Sequence, residues 1–387
     1  MTFTKNKLTD IIGEKITKVS PERTIQQLWA GYGSVKEFTA SVRDAQDKTY
    51  FVVKRVNPPS DDTGSVSHAR KIRSYHVEAH FYEFLVPMLN EMWAALSEES
   101  TLTSPEVPQP YFIQCDNDSD DKEAGNQSFT FLLSDLRREY IHSSGYTLSL
   151  LETRAALRFL AGLHSTFWER ADILQSTSTC SANNKNVWEC GGYWHLETRL
   201  DELECMPSEW DHLKRAAYAI DSRMKNKSGR CKHQTLCHGD FKSANLLFSS
   251  SNAKEYECAT VDFQYTGGGY GLKDVVMLFV SSVQTRLLSG NGERDLLQFY
   301  FDTLCQNLDH LGIDKSGYTV EDVMIQYELC LVDYVRFMAG WGFWGASSSY
   351  AERRVSSIMK EMCNDVGNIE IFSEKEWDAI VIKRFPL

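Results

Sequence analysis

The spacing of hydrophobic positions divides the chain into an early part with strand-like periodicity and a later part with helical periodicity. In the early part, short stretches rich in β-branched and aromatic residues predict strands at 27–33, 36–43, 50–56, 111–115 and 129–133. Between the third and fourth strands, apolar residues recur at mostly three- and four-residue steps, which predicts a helix over about 70–97 that Pro87 kinks. The early part therefore predicts a small antiparallel sheet with one helix.

The later part has helical periodicity along most of its length. Apolar positions at three- and four-residue intervals predict helices at 148–168, 193–205, 210–225, 273–288, 294–311 and 320–338. A polar connector near 135–144, followed by Gly145, separates this part from the first. The predicted organisation is an N-terminal lobe over residues 1–135 and a C-terminal helical lobe over residues 136–387.

Composition and charge narrow the class of protein. The 387 residues are 42% hydrophobic and 24% charged, which is typical of a globular protein with one large or two modest domains. The net charge of −12 has the wrong sign for binding a phosphate backbone, so we expect no nucleic-acid partner. No apolar run reaches the roughly 18 residues that cross a bilayer, and no apolar segment follows the charged start of the chain. We therefore expect neither a membrane span nor a signal peptide.

The ten cysteines show neither a CxxC pair nor the Cys/His spacing of a zinc site. Several lie among apolar residues, as Cys237 and Cys330 do, which favours buried free thiols in a reducing compartment. We therefore predict a cytoplasmic protein in which the cysteines act as packing residues.

The chemically most informative segment begins with the triplet His-Gly-Asp at 238–240. Asn245 follows Asp240 by five residues, and Asp262 follows Asn245 by seventeen, at the end of an apolar strand. A carboxylate in a loop can accept the proton of an attacking hydroxyl, whereas an amide oxygen and a second carboxylate are hard ligands suited to Mg²⁺. A hairpin over 245–261 places Asn245 and Asp262 at the same end. The set predicts a metal–phosphate site with Asp240 as the catalytic residue.

These motifs resemble those of the aminoglycoside phosphotransferase/choline kinase-like group. In Asp262-Phe263-Gln264, the glutamine stands where protein kinases have glycine, and this is most similar to the ecdysteroid-kinase-like branch. The resemblance implies an α+β, bilobal, protein-kinase-like fold with a small antiparallel-sheet N-lobe and a larger, mostly helical C-lobe. It also implies a small-molecule kinase that uses ATP and Mg²⁺ and transfers the γ-phosphoryl group to an alcohol hydroxyl. Asn245 and Asp262 would then hold the metal.

The resemblance extends to the early strands. Phe51-Val52-Val53-Lys54 resembles the third strand of these kinases with its phosphate-binding lysine, and Glu78 resembles the partner glutamate on the following helix. On a strand with period two, Lys54 shares its face with Val52 and Val56, and a charge on this apolar face needs an anionic partner. Glu78 and the nucleotide phosphates are the candidates. The alternative is an edge-strand lysine whose amine reaches water.

Further residues are candidates for nucleotide binding. The glycine turn 31–34 lacks the third glycine of GxGxxG, but its amides and Ser34 could cover phosphates, with a plain hairpin turn as the alternative. Ser134 lies in a segment that resembles the interlobe linker. The predicted nucleotide-side set is completed by these residues: Gly31, Gly33, Ser34 and Ser134.

Three residues around Asp240 have supporting roles. Lys242, two residues beyond Asp240, is predicted to neutralise the transferring phosphoryl group. His238 is expected to hold the loop by a hydrogen bond rather than to act as a base. Asp274 either braces the same loop or is an ordinary acid in the first turn of a helix.

A late aromatic stretch, residues 334–344, has five aromatic residues broken by glycines at 340 and 342. Aromatics from C-terminal helices enclose the acceptor in choline kinase-like relatives, but the same density suits a helix-packing core. The candidates for binding the acceptor are Tyr334, Trp341 and Trp344. A second group of candidates is Trp188, Tyr193 and Trp194. The acceptor is a hydroxyl-bearing small molecule, either sterol-like or a cationic amino-alcohol. A single local acid, Asp333, gives only thin support for a cation.

Two alternative functions stay open at this stage. A protein kinase is disfavoured because only about ten residues separate Asp262 from the next predicted helix near Leu272, which leaves no room for a long activation segment. A catalytically inactive nucleotide-binding or scaffold protein is disfavoured by the complete set of Lys, Glu, Asp, Asn and Asp. The sequence does not indicate the oligomeric state.

Overall fold

The computed structural model describes residues 2–42, 48–59, 66–96, 102, 104–117, 127–142, 145–174, 187–225, 232–249, 255–364 and 373–387. The chain forms two compact units. Unit 1 consists mainly of Met1–Met88 and Val107–Glu139, whereas unit 2 consists of Leu89–Glu106, Tyr140–Thr179 and Val187–Leu387. The functional division into a nucleotide-binding 1–135 and a catalytic 136–387 stays a prediction.

Unit 1 is built on an antiparallel sheet. Its strands are β1 (Ile16–Val19), β2 (Arg23–Gln27), β3 (Gly33–Val42), β4 (Lys48–Val56), β5 (Pro110–Asn117) and β6 (Gln127–Ser134). They pair in the order β1-β3-β4-β6-β5, and β2 also pairs with β3. A short helix, α1 (Lys5–Ile12), covers the apolar face, where Leu8 packs with Phe38 and Phe51 in one buried cluster. Neither α1 nor β1 was predicted, because each is short and has a weak pattern.

The predicted strand over 27–33 is wrong. β2 ends at Gln27, a single 3-10 turn spans Trp29–Gly31, and β3 begins at Gly33. Ala30 and Gly31 have positive φ angles of 54° and 73°, which a continuous strand does not allow. A Cβ at Gly33 would lie 2.0 Å from the Arg55 carbonyl oxygen, so β4 approaches this position as closely as only glycine permits.

The helix predicted over 70–97 is present but not uniform. It divides into α2 (Val66–His80), a π-turn (Phe81–Leu85) and α3 (Val86–Ala94). In the π-turn, the Val86 N–H donates to the Phe81 carbonyl oxygen, five residues back. Pro87 lacks an N–H and its ring crowds the carbonyl four residues earlier, and a wider turn just before it gives the ring room. The irregularity therefore precedes the proline.

Unit 2 is mostly helical. Its elements, in chain order, are α4 (Leu150–Thr166), α5 (Ala171–Leu174), α6 (Leu200–Glu204), α7 (Asp211–Met224), β7 (Thr235–Cys237), β8 (Leu246–Phe248), β9 (Cys258–Thr260), β10 (Gly267–Gly269), α8 (Leu272–Ser282), α9 (Gly292–His310), α10 (Val320–Trp341), α11 (Ser348–Asn364) and α12 (Glu374–Arg384). β7 pairs with β10, and β8 pairs with β9, both antiparallel. The predicted α+β class, with a sheet in the N-terminal part and helices in the C-terminal part, is confirmed.

Two predicted helices of unit 2 differ from the structure. The region 193–205 contains only a 3-10 turn (Leu196–Thr198) and the short α6. The helix predicted to reach residue 288 ends at Ser282, because Val283 is extended and forms a bridge with Leu148. Helices α11 and α12 were not predicted. Among the helices that the structure describes, none combines the length and apolar character of a membrane span.

Candidate active site

The hairpin predicted after Asn245 is present. β8 and β9 pair antiparallel with Leu246 opposite Thr260, and the Val261 N–H donates to the Asn245 carbonyl oxygen at 3.0 Å. Because the first residue of one strand lies opposite the last residue of the other, Asn245 and Asp262 lie at the same end of the hairpin. The spacing of these two residues along the chain therefore places the candidate metal ligands side by side.

The loop after β7 is held by Asp274, the third residue of α8. This fully buried carboxylate accepts hydrogen bonds from the backbone N–H of His238 at 2.6 Å and of Gly239 at 2.9 Å. His164 Nε2 lies 3.2 Å from the same carboxylate. Gly239 has φ of 83°, and a Cβ there would lie 2.0 Å from a carbonyl oxygen, so the turn requires glycine. Of the two roles left open for Asp274, the structure shows the first, because its carboxylate holds the backbone of this loop.

His238 is a structural part of this loop. Its Nε2 lies 3.1 Å from the Val261 carbonyl oxygen, and its Nδ1 accepts the Asp240 N–H at 3.2 Å. Burial lowers the pKa of this imidazole, which favours the neutral form. Both ring nitrogens therefore position the loop, in agreement with the structural role expected from the sequence.

Asp240 is 6% exposed. Its Oδ2 lies 2.9 Å from Lys242 Nζ and accepts a hydrogen bond from Asn245 Nδ2 at 3.2 Å. Its Oδ1 is buried and has no hydrogen-bond partner in the part of the chain that the structure describes. Burial raises the pKa of Asp240 to about 6, with the charge of Asp262 adding to the effect and Lys242 opposing it. One oxygen is thus held in place while the other can accept a further hydrogen bond.

The donor set of Asn245 and Asp262 fits Mg²⁺. Both side-chain hydrogen bonds of Asn245 come from Nδ2, so its amide oxygen can serve another partner. Asp262 adopts a φ of 72°, a rare conformation for a residue other than glycine, and its Oδ1 accepts a hydrogen bond from Gln264 at 2.6 Å. Within the described ranges no group of three or more His, Cys, Asp or Glu side chains is arranged to hold a metal. Magnesium commonly takes one or two protein ligands and fills its shell with phosphate and water oxygens, which this pair allows.

In unit 1, the expected ion pair of Lys54 and Glu78 is present. Lys54 Nζ lies 2.9 and 2.7 Å from the two carboxylate oxygens of Glu78, and both residues are buried. The ammonium also lies 5.4 Å from the ring centroid of Tyr75. α2 thus fixes the amine of the β4 lysine through a bidentate contact.

The remaining nucleotide-side candidates lie at separate places in unit 1. Ser34 is part of β3 and pairs with Arg55, next to Lys54 on β4. Gly31 ends the 3-10 turn before β3. Ser134 ends β6, where its hydroxyl accepts the Gln109 N–H at 2.9 Å. Roles for these residues in nucleotide binding stay predictions.

The late aromatic stretch divides between core and surface. Tyr334 is fully buried, with its ring edge-on to Trp194 at 5.0 Å. Trp341 is 58% exposed and stacks on Phe337 at 5.8 Å. Trp344 is partly buried and has no stacked ring among the described residues. Phe337 therefore has ring contacts with both Tyr334 and Trp341. Trp344 is not part of this group of rings.

Tyr193 links these aromatics to the loop that carries Asp240 and Lys242. Its ring is edge-on to Phe337 at 5.4 Å, and Lys242 Nζ lies 6.0 Å from its centroid. Burial raises the pKa of Tyr193, and the negative charge of Asp240 raises it further. Tyr193, one of the second group of acceptor candidates, is therefore close enough to Asp240 for the carboxylate charge to change its pKa.

Arg199 is a residue of this group that the sequence did not reveal. Its guanidinium lies 5.7, 5.4 and 5.4 Å from the ring centroids of Tyr193, Phe337 and Trp341. It donates to the Tyr193 carbonyl oxygen at 2.7 Å and pairs with Glu202 at 3.0 Å. We predicted a continuous helix across this region, and no local pattern signals an arginine that packs on rings from a distant helix.

The site residues occur within a known family pattern. The profile of the ecdysteroid kinase-like family matches residues 34–313. The chain belongs to this family. Its α+β architecture agrees with the fold class that the motifs implied, and the match contains Lys54, Glu78, Asp240, Asn245 and Asp262. The late aromatic stretch lies beyond the match, so family membership says nothing about the role of those residues.

Solved structures of small-molecule kinases resemble this ecdysteroid kinase-like protein at low identity. Amicoumacin kinase hAmiN, in complex with AMP-PNP, Ca²⁺ and Ami, is 10% identical, with 97% of each chain covered and a TM-score of 0.44. Choline kinase from Cryptosporidium parvum Iowa II is 11% identical, with 93% of each chain covered and a TM-score of 0.45. No curated protein matches the chain. Family membership therefore rests on the profile match.

Proposed function

We propose that this ecdysteroid kinase-like protein transfers the γ-phosphoryl group of ATP, with Mg²⁺, to an alcohol hydroxyl of a small molecule. The observation that carries the proposal is the state of Asp240. One carboxylate oxygen is fixed by Lys242 and Asn245, and the other is buried without a hydrogen-bond partner in the described chain. A buried carboxylate oxygen without a donor is costly, and a substrate hydroxyl is the kind of donor that would satisfy it.

Each residue of the set has a defined task in this proposal. Asp240 Oδ1 accepts the hydrogen bond of the attacking hydroxyl, orients it and takes its proton as the oxygen attacks phosphorus. Lys242 holds Asp240 Oδ2 and keeps positive charge beside the transferring group. Asn245 and Asp262 would hold Mg²⁺, which when bound neutralises phosphate charge. Catalysis of this kind is mostly positioning and charge stabilisation.

Unit 1 contributes the lysine. In the proposal, Lys54 contacts the nucleotide phosphates while Glu78 holds its amine in a fixed direction. The bidentate contact supports this role, because it removes the rotational freedom that a flexible lysine would otherwise lose on binding. Gly31, Gly33 and Ser34 are proposed to lie near the phosphates, and Ser134 near the base.

An uncharged, sterol-like acceptor is favoured over a cationic amino-alcohol. The guanidinium of Arg199 lies over the rings of Tyr193, Phe337 and Trp341. Each of these rings therefore already has a cation beside it. Asp333, the single acid of the late stretch, is buried and paired with Arg336 at 2.8 Å. A second positive charge in this place would be repelled by Arg199, and Asp333 is already paired with Arg336.

A transfer assay tests the proposed function. Purified protein is incubated with Mg²⁺ and γ-labelled ATP, and with sterols, amino-alcohols or aminoglycosides as acceptors, and phosphorylated products are identified by mass spectrometry. We expect product from the hydroxyl-bearing apolar compounds, and about 10²–10⁴-fold slower formation of it by Asp240→Asn. Nucleotide binding without any transfer, together with equal behaviour of Asp240→Asn, would favour an inactive nucleotide-binding protein. The buried free thiols of Cys237, Cys258, Cys330 and Cys363 support our further proposal of a cytoplasmic location.

A further inference from the structure

A second cluster of charged side chains lies in unit 2, outside the proposed catalytic set. Its centre is Lys273, the second residue of α8, which is only 1% exposed. Its Nζ lies 3.2 Å from the Sγ of Cys190 and 5.2 Å from the ring centroid of Trp194. In the part of the chain that the structure describes, this sulfur is the hydrogen-bond partner of the buried amine.

A carboxylate of this cluster, Asp333, is already engaged. Asp333 Oδ1 accepts hydrogen bonds from Nε and Nη2 of Arg336 at 3.0 and 2.8 Å, and both side chains are buried. Asp333 and Arg336 therefore balance each other, which leaves the ammonium of Lys273 without a carboxylate at hydrogen-bond distance among the described residues. A buried ammonium without an adjacent anion costs several kcal/mol. A thiolate at Cys190 is the anion within reach.

The surroundings of Cys190 favour the thiolate form of its side chain. Burial by itself raises the pKa of the Cys190 thiol, but the charge of Lys273 and the contact with His195 outweigh it, and the net pKa is lowered despite the opposing charge of Asp333. Cys237 and Cys330 belong to the same region, and burial raises the pKa of both thiols. Cys190 is also partly exposed, whereas Cys237 and Cys330 are buried. One thiol of the cluster is therefore set apart by both charge and access.

We propose that Cys190 is a thiolate held by Lys273 and that it is a modification site for small hydroperoxides, which convert it to a sulfenic acid. The sulfur attacks the terminal oxygen of R–O–OH, an S–O bond forms and the O–O bond breaks. Sulfur is oxidised by two electrons, and the peroxide is reduced by two. The departing alkoxide takes a proton from the Lys273 ammonium, so the products are a sulfenic acid, an alcohol and a neutral amine. Lys273 thus stabilises the nucleophile and supplies the proton for the leaving group.

The test is chemical and does not depend on kinase activity. Reduced full-length protein is treated with one equivalent of hydrogen peroxide at pH 7 in the presence of dimedone, and adducts are located by peptide mass spectrometry. We expect the adduct on Cys190 to form roughly tenfold faster than on the exposed Cys205, because thiolate content governs reactivity. Cys237 serves as a buried control that should stay unlabelled. Equal rates at Cys190 and Cys205 would overturn the proposal.

The role of Lys273 is tested separately. Iodoacetamide alkylation of wild-type protein across pH 5–9 should persist at Cys190 to lower pH than at Cys205, a measurement that needs no variant. Lys273→Met should slow the Cys190 reaction at pH 7 to the level of Cys205, and Lys273→Arg, which keeps the charge, should retain most of it. A folded Lys273→Met protein with an unchanged rate refutes the pairing. If that variant does not fold, identical alkylation midpoints at the two cysteines refute it instead.

Discussion

Asn245 holds Asp240 at two points: its Nδ2 donates to the Asp240 carbonyl oxygen at 2.9 Å and to the carboxylate Oδ2 at 3.2 Å. The candidate metal ligand and the candidate base are thus mechanically connected within one turn. A metal bound to the amide oxygen of Asn245 would fix the amide group and, through Nδ2, the direction of the Asp240 carboxylate. Substitution of Asn245 should therefore affect proton transfer as well as metal binding.

Asp240→Asn tests the base. We expect turnover to fall by about 10²–10⁴-fold, because an asparagine side chain cannot take the proton from the hydroxyl group of the substrate. The melting temperature should be unchanged or slightly higher, since the substitution removes a buried charge whose pKa is raised by burial. Steady-state kinetics and thermal unfolding measure the two effects. A folded variant with near-normal kcat would contradict the assignment of Asp240.

The pH dependence of activity should follow the ionisation of Asp240. Its pKa is raised to about 6, so the required carboxylate form is lost as pH falls through 6, and kcat/KM for the nucleotide should decline below that pH. Because Lys242 opposes the rise of this pKa, Lys242→Met should move the acid limb to higher pH. Lys242→Arg is the matched control and should leave the limb in place. If the acid limb does not move in Lys242→Met, the limb does not report the ionisation of Asp240.

Asp262→Ala tests the metal site. It removes the charged member of the candidate ligand pair, so we expect the Mg²⁺ dependence of nucleotide binding to disappear in calorimetry. Asp172→Ala, which removes a carboxylate with a 62% exposed side chain, is the control and should bind as wild type does. Retention of normal Mg²⁺-dependent affinity by Asp262→Ala would place the metal elsewhere.

Lys54→Met should affect both stability and nucleotide use. It removes the cation 2.7 Å from the buried carboxylate of Glu78, and breaking a buried pair from one side costs on the order of 3 kcal/mol in the free energy of unfolding. The double variant Lys54→Met/Glu78→Leu should recover much of that stability without recovering nucleotide affinity. Denaturant unfolding and calorimetry distinguish the two contributions. Wild-type nucleotide affinity in a folded double variant would exclude a phosphate contact.

Trp341→Leu tests the aromatic acceptor site. The exposed ring stacks on Phe337 and under Arg199, so its loss should raise the acceptor KM several-fold and leave the ATP KM nearly unchanged. Trp344→Leu is a natural control, because Trp344 does not stack on these rings, and its acceptor KM should change less. If Trp341→Leu lowers only the melting temperature, the aromatics serve packing alone.

The sequence by itself determined what depends on local geometry. The short hairpin between Asn245 and Asp262 follows from strand periodicity and a turn, so the proximity of the two residues was predictable from their spacing. Strands β3 to β6 and helices α2, α4, α7, α9 and α10 followed for the same reason. The need of Lys54 for an anionic partner was predictable because an apolar strand face cannot hold a lone charge, and the family resemblance made Glu78 one of the two candidates.

The tertiary structure decided which side chains from distant segments meet. Arg199 reaches rings on α10, Asp333 is neutralised by Arg336, and Lys273 meets Cys190 across 83 residues of chain. Local periodicity fixes which face of an element is apolar, but it does not fix which elements pack together or at what rotation. Buried charges must be balanced by whatever neighbours the packing supplies, so their partners follow only from the folded structure. Our proposals for the acceptor charge and for the thiolate at Cys190 depend on these partners.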